Sequence, residues 1–276
     1  MSEIRCPVCF RRCRLQEGQT GFCRGRKNVG GKSVCENYGK LTSLALDPIE
    51  KKPLARFYPG SVILSVGSFG CNMDCPFCQN DSISCADGQT VDWRYLSPEE
   101  LAALARKLQP RGNLGVAFTY NEPMIGFEYV RDTARLVRKA GMKNVVVTNG
   151  AFYAEALDEV LPDTDAFNID LKGFTESWYK DLGGDLETVK AFIRRAVQHA
   201  HVELTTLVVP GGNDSERGMR DMAGWIASVD KTIPLHITRF FPRRKYADRN
   251  STDIALLQRL AEIAKERLDT VLIGNV

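Results

Sequence analysis

Three thiols stand within eight residues in Cys71-Asn72-Met73-Asp74-Cys75-Pro76-Phe77-Cys78, spaced C-x3-C-x2-C. Thiolates suit zinc and iron–sulfur clusters, but a closed zinc site takes four protein ligands, and an electron-transfer cluster is normally held by four thiolates. Three ligands leave one metal position open, which separates a catalytic metal centre from a structural one. The plainer readings, a zinc site in a loop or buried free thiols, account less well for this spacing and position. Cys85, the next cysteine, has no partner spacing and reads as incidental.

A second set, Cys6, Cys9, Cys13 and Cys23, is spaced C-x2-C-x3-C-x9-C, with Gly18 and Gly21 available for turns between the last two. Four thiols opening on a knuckle-like CxxC satisfy a tetrahedral site, so zinc is expected, with an auxiliary iron–sulfur cluster as the alternative. Such a metal would stabilise a segment with few large apolar side chains of its own. Arg11, Arg12, Arg14, Arg24, Arg26 and Lys27 lie around it against little acid. A zinc-ribbon-like fold with that face could meet nucleic acid, but only Phe10 and Phe22 are interleaved, so a solvated positive face is the better reading. Cys35 falls outside the spacing.

The rest of the chain must position these thiols. With 276 residues, 43% of them hydrophobic, it can bury a full core and fits one large α/β domain (61–276) behind a small cysteine-rich appendage (1–60). No apolar run reaches the roughly 18 residues of a membrane span, and the start is polar and cysteine-bearing rather than signal-like, so a cytoplasmic protein with no membrane partner is expected. Nine cysteines, seven of them in the two sets, point to metal ligation in a reducing compartment rather than to disulfides. A net charge of +3 is too small to make nucleic acid or an anionic membrane the main partner.

After Ser61–Val66 and the cysteine loop, Ser97-Pro98-Glu99-Glu100 has the N-cap, proline and acids of a helix start. Strands are then expected at 115–119, 144–147, 165–169, 202–209, 234–240 and 270–273, with helical periodicity between them. Asp47–Leu54, with two prolines, reads as an irregular connection. Strand and helix alternate about six times, which implies parallel strands, right-handed crossovers and a barrel or partial barrel. In such a barrel the site lies at the C-terminal ends of the strands. There the sequence places the cysteine loop, Asn121 and Glu122, Thr148 and Asn149, Asp170 and Lys172, and His236, after strands that read as apolar until their last residues.

The C-x3-C-x2-C spacing, with aromatic Phe77 before the last cysteine, resembles the signature of the radical S-adenosylmethionine (radical SAM) superfamily. The resemblance implies a (β/α)6 partial TIM barrel and a [4Fe–4S] cluster on Cys71, Cys75 and Cys78 whose fourth iron binds SAM. It further implies that Glu122, in Asn121-Glu122-Pro123, takes the place of the acidic GGE-like motif that holds the SAM amino group. Asp170 and Lys172 match an Asp-x-Lys motif of glycyl-radical activases that contacts the methionine or ribose of SAM, and His236 matches a late-strand histidine on the ribose. Val147 stands where activases often carry an Asp of a monovalent cation site.

The blocks Asp47–Leu54, Thr119–Pro123, Asn168–Gly173 and Val209–Asp214, together with the four-cysteine knuckle, resemble the radical SAM proteins of the AmmeMemoRadiSam system, relatives of pyruvate formate-lyase activating enzyme. Many of those continue past a Gly-Asn pair like Gly274-Asn275, often with another CxxC. The family implies reductive cleavage of SAM to a 5′-deoxyadenosyl radical that abstracts a hydrogen atom, with flavodoxin or ferredoxin as reductant. Activation of a glycyl radical enzyme is the first expectation. Radical modification of a small molecule or protein residue, with Memo-type and AMMECR1-type proteins as associates, is the second. A non-catalytic zinc-ribbon binding protein on a barrel scaffold is the third, and retention of all three cysteines with Glu122 and Lys172 argues against it.

Overall fold

The computed structural model describes residues 3–276. Its centre is one sheet of eight strands in sequential order: β1 (Ser43–Pro48), β2 (Val62–Gly67), β3 (Asn113–Phe118), β4 (Lys143–Thr148), β5 (Ala166–Asp170), β6 (His201–Val208), β7 (Leu235–Arg239) and β8 (Val271–Gly274). Only β1 runs antiparallel to its neighbour; the pairings from β2 to β8 are parallel. Parallel neighbours need a crossover, and each gap holds a helix: α1 (Pro98–Lys107), α2 (Phe127–Lys139), α3 (Ala154–Val160), α4 (Leu186–Ala196), α5 (Glu216–Asp230) and α6 (Ile254–Lys265). Six strand–helix units followed by a seventh parallel strand make the expected (β/α)6 partial barrel.

Local chemistry explains the elements. Ser97 caps α1 by accepting from Glu100 N at 3.2 Å while the Glu100 carboxylate accepts from Ser97 N at 2.7 Å, the reciprocal pair that removes two orphan donors. Strand residues alternate between two faces. Leu64, Val66, Phe167, Ile169, Leu204, Leu235 and Ile237 belong to the large core with the helices. Ile63, Ala117, Val145 and Ala166 point the other way, where Ile49, Leu54 and Phe57 from the β1–β2 connection pack against them.

That connection differs from the sequence expectation. Asp47 and Pro48 finish β1, and Ile49–Lys51 is a turn of 3-10 helix. Pro48 is tolerated because β1 is the sheet edge, where a missing N–H breaks no interior ladder. The sheet therefore takes in residues 43–48, which the division at residue 60 assigned to the appendage. Among the described residues ahead of it the strands are short, Ile4–Arg5 pairing with Arg14–Leu15, Arg26–Val29 with Lys32–Cys35, and Lys40–Leu41 with the later Arg94–Tyr95. Among the described residues no helix is long and apolar enough to cross a membrane.

Candidate active site

The loop that follows β2 carries Cys71, Cys75 and Cys78, all half-buried and unpaired. Gly70 turns it with φ +86°, and a Cβ there would lie 2.2 Å from the Cys23 carbonyl oxygen, so the N-terminal knuckle packs directly on the loop. Asn121, just beyond β3, fastens the start of the loop. Its Oδ1 accepts from Ser68 N at 2.9 Å, and its Nδ2 donates to the carbonyls of Phe69 and Gly70, both at 3.1 Å.

Glu122 is 3% exposed and accepts three hydrogen bonds, from Met124 N at 3.0 Å, Thr148 Oγ1 at 2.7 Å and Asn149 N at 2.8 Å. Burial outweighs these donors and, with Asp170 nearby, pushes its carboxyl up to about 7. The end of β4 is thereby tied to the end of β3. Asn149 continues the chain of contacts, donating to Asn72 Oδ1 at 2.8 Å with its Nδ2 3.7 Å from Cys71 Sγ, while Asn72 donates to Ala151 O at 3.1 Å.

At the end of β5, Lys172 Nζ donates to Asp170 Oδ2 at 2.7 Å. Burial works against the ammonium charge, but Asp170 and Cys75 hold its pKa above the ordinary range. The Lys172 carbonyl accepts from Trp178 Nε1 at 2.7 Å and from Asn213 Nδ2 at 2.8 Å, and its N–H reaches Tyr179 Oη at 3.1 Å. Asn213 also donates to Leu207 O and accepts from Val209 N. The Asn168–Gly173 and Val209–Asp214 blocks thus meet at one asparagine. Phe77 lies parallel to Trp178 with ring centres 6.0 Å apart and meets Phe240 edge-on at 6.4 Å.

The sequence-predicted residues from β2 to β5 are therefore brought together: the three cysteines, Phe77, Asn121, Glu122, Thr148, Asn149, Asp170 and Lys172. His236 is not among their partners. It is the second residue of β7, its Nε2 is 2.6 Å from Glu203 Oε2, and Glu203 also accepts from the backbone N–H groups of Ala55 and Arg56. Its partner is the carboxylate that fastens the β1–β2 connection, and in the sheet register it stands level with Asp170, through the pairs Asp170–Thr205 and Thr205–His236.

Asn72, Trp178, Asn213 and Arg244 were not singled out from the sequence. Arg244 donates to Cys75 O at 2.7 Å and to Asp74 Oδ1 at 2.6 Å, and Lys245 to Asp74 Oδ2 at 2.9 Å, so the segment after β7 reaches over the cysteine loop. Asn72 and Asn213 sit inside recognisable blocks, which is a usable signal. The other two have none that precedes the fold.

The cysteine loop fits an iron–sulfur cluster chemically. Its three thiols act on one another electrostatically, and burial pushes Cys75 up to about 11, an environment in which bare thiolates are disfavoured and a positively charged cluster core would offset the cost. The four N-terminal cysteines also gather, since Cys6, Cys9 and Cys13 all act on Cys23. Among the described residues no set of three or more Cys, His, Asp or Glu side chains, at the loop or at the knuckle, is drawn in around a single metal ion, and the expected zinc is not supported.

A parallel partial barrel with a three-thiol loop after its first parallel strand defines the radical SAM class, and the sequence pattern of the Radical SAM superfamily matches residues 65–223. The chain belongs to this superfamily. An uncharacterized protein of Methanocaldococcus jannaschii is 37% identical over 278 residues, spanning all of this chain and 82% of that one. The pyruvate formate-lyase-activating enzyme of Clostridium pasteurianum is 26% identical over 166 residues, 58% of this chain and 67% of the enzyme. Among solved structures, a radical SAM methyltransferase from Sphaerobacter thermophilus superposes with a TM-score of 0.61 at 17% identity, over 79% of this chain and 67% of the other. Membership implies a [4Fe–4S] cluster and SAM as cofactors.

Proposed function

We propose that the protein is a glycyl-radical-activase-like radical SAM enzyme of the AmmeMemoRadiSam group. Bound cluster and SAM would supply the chemistry, reductive cleavage of the sulfonium to a 5′-deoxyadenosyl radical that takes a hydrogen atom from a substrate. In this reading Cys71, Cys75 and Cys78 hold the cluster, and Lys172, aligned by Asp170, holds the SAM carboxylate by charge. Asn121, Glu122, Thr148 and Asn149 are the rigid backing that fixes the loop and the SAM amino end, and Phe77 with Trp178 excludes water beside Cys75. His236, level with Asp170 across β6, is left for the SAM ribose. The observation that carries the reading is the Asp170–Lys172 pair acting on Cys75 at the C-terminal end of β5.

The similarity to activating enzymes supports a protein or peptide substrate, with a glycyl radical enzyme first and Memo-type or AMMECR1-type proteins as associates. Flavodoxin or ferredoxin would deliver the electron in a reducing cytoplasm. The N-terminal four-cysteine knuckle would bind its own metal, zinc or a second iron–sulfur cluster. The test is Cys75→Ala: iron at the trio and formation of 5′-deoxyadenosine are lost while circular dichroism stays native. A variant that still cleaves SAM would end the proposal, and metal analysis of the same protein identifies what the knuckle holds.

A further inference from the structure

Arg11 lies between the two groups of thiols. Its Nε donates to Asn72 O at 2.5 Å, next in sequence to Cys71, and its Nη2 donates to Gly183 O at 2.7 Å. The Phe22 ring covers the guanidinium face, with 3.5 Å from its central carbon to the ring centre. Among the described residues Arg11 has no carboxylate within ion-pair distance, because the nearby Asp74 is taken by Arg244 and Lys245. Its charge acts on Cys9 and Cys13 on one side and on Cys71 on the other. Cys9 itself bridges to Phe152 just past β4, and the Asn72 side chain acts on its thiol. A guanidinium held by two carbonyls and an aromatic face is thus a fixed positive charge that faces thiols of both groups, with Asp74, itself ion-paired to Arg244 and Lys245, acting on it from beyond ion-pair distance.

We infer that Arg11 is a positioning residue that raises the reduction potential of the cluster expected on Cys71, Cys75 and Cys78, and that it does so from the N-terminal knuckle. The inference rests on the reading that the trio holds that cluster. Cluster potentials follow local charge, hydrogen bonding and solvent exposure. A cation at the loop stabilises the form with one more electron, so its removal makes reduction harder. Phe22 strengthens the effect by keeping water off the charge. The knuckle then does more than brace the barrel: it brings a positive charge of its own to the cluster, in addition to Lys172 and Arg244.

The experiment is a potentiometric titration with dithionite under argon, following the electron paramagnetic resonance signal that SAM perturbs. Arg11→Gln keeps an N–H donor and removes the charge; Arg11→Lys keeps the charge and loses the fork. The expected result is a midpoint displaced to more negative potential in Arg11→Gln with iron content unchanged. Arg11→Lys should recover most of that displacement, and Phe22→Ala, at a 40% exposed position, should give a smaller displacement of the same sign. Equal midpoints in all four proteins, or a Lys variant displaced as far as the Gln variant, would overturn the inference. Loss of the cluster from both Arg11 variants in folded protein would do so too, since Arg11 would then only build the loop. A wild-type protein with no signal that SAM perturbs would instead be a failure of the proposed function.

Discussion

Glu122 is a carboxyl wrapped by three donors and yet raised, because desolvation is the larger effect. A raised acid favours the fold while it is protonated. Its contribution is complete below the unfolded pKa near 4.5 and is lost as pH rises through about 7. In metal-free protein the stability of Glu122→Gln relative to wild type should therefore improve between pH 5 and pH 8. The change is at most about 3 kcal/mol from the size of the shift. Urea denaturation at both pH values reads it, and a difference independent of pH would show that Glu122 is ionised throughout. The position of Glu122 was legible because it follows an apolar run and stands in a recognisable block. His236 was legible in the same way, and the register sets it level with Asp170 across β6, but its hydrogen-bond partner was not. Its partner Glu203 lies 33 residues away, beyond any local signal.

Among the elements, the strands of the parallel sheet were readable because each is a short apolar run bounded by turn residues, and α1 because its cap is written in Ser97 and Glu100. What the runs concealed was alternation. Asn168, Glu203, Thr205 and His236 put polar groups on one face in mid-strand, so strand polarity is not confined to the last residues. The turn after β6 lies in the Val209–Asp214 block, and the second of its two glycines makes room for Trp178. A Cβ on Gly212 would stand 2.4 Å from the Trp178 ring, whereas one on Gly211 meets nothing within 4 Å. Gly212→Ala must push the indole off Phe77 and off the Lys172 carbonyl, at a cost of about 1–3 kcal/mol. SAM affinity of the reconstituted protein should fall with it. Gly211→Ala, at φ +71°, carries only backbone strain of about 1–2 kcal/mol and should bind SAM normally. Thermal denaturation and equilibrium dialysis separate the two, and equal SAM binding by both variants would remove Trp178 from the support of Lys172.

At the scale of the whole molecule, the partial barrel is held from two sides. The N-terminal knuckle and the segment after β7 close on the cysteine loop, while the β1–β2 connection fills the concave face beneath. Glu203, fully buried on β6, fastens that connection by accepting from Ala55 N at 3.0 Å and Arg56 N at 2.7 Å, and it meets both His201 and His236. Burial alone would raise its carboxyl, but the two histidines and two backbone donors bring it down to about 2. Here the sign is opposite to that of Glu122. A depressed acid stabilises the fold above its unfolded pKa near 4.5, and the contribution disappears as pH falls toward 2. Glu203→Gln leaves two backbone N–H groups and two imidazoles with one neutral acceptor oxygen, so a loss of about 3 kcal/mol is expected at pH 7. The gap between wild type and variant should narrow steadily from pH 5 to pH 3, measured by urea denaturation, while iron bound at neutral pH stays the same in the folded variant. A gap that holds at pH 3 would mean that shape rather than charge keeps the connection in place, and loss of iron from Glu203→Gln would mean that the concave face and the cysteine loop are one cooperative unit.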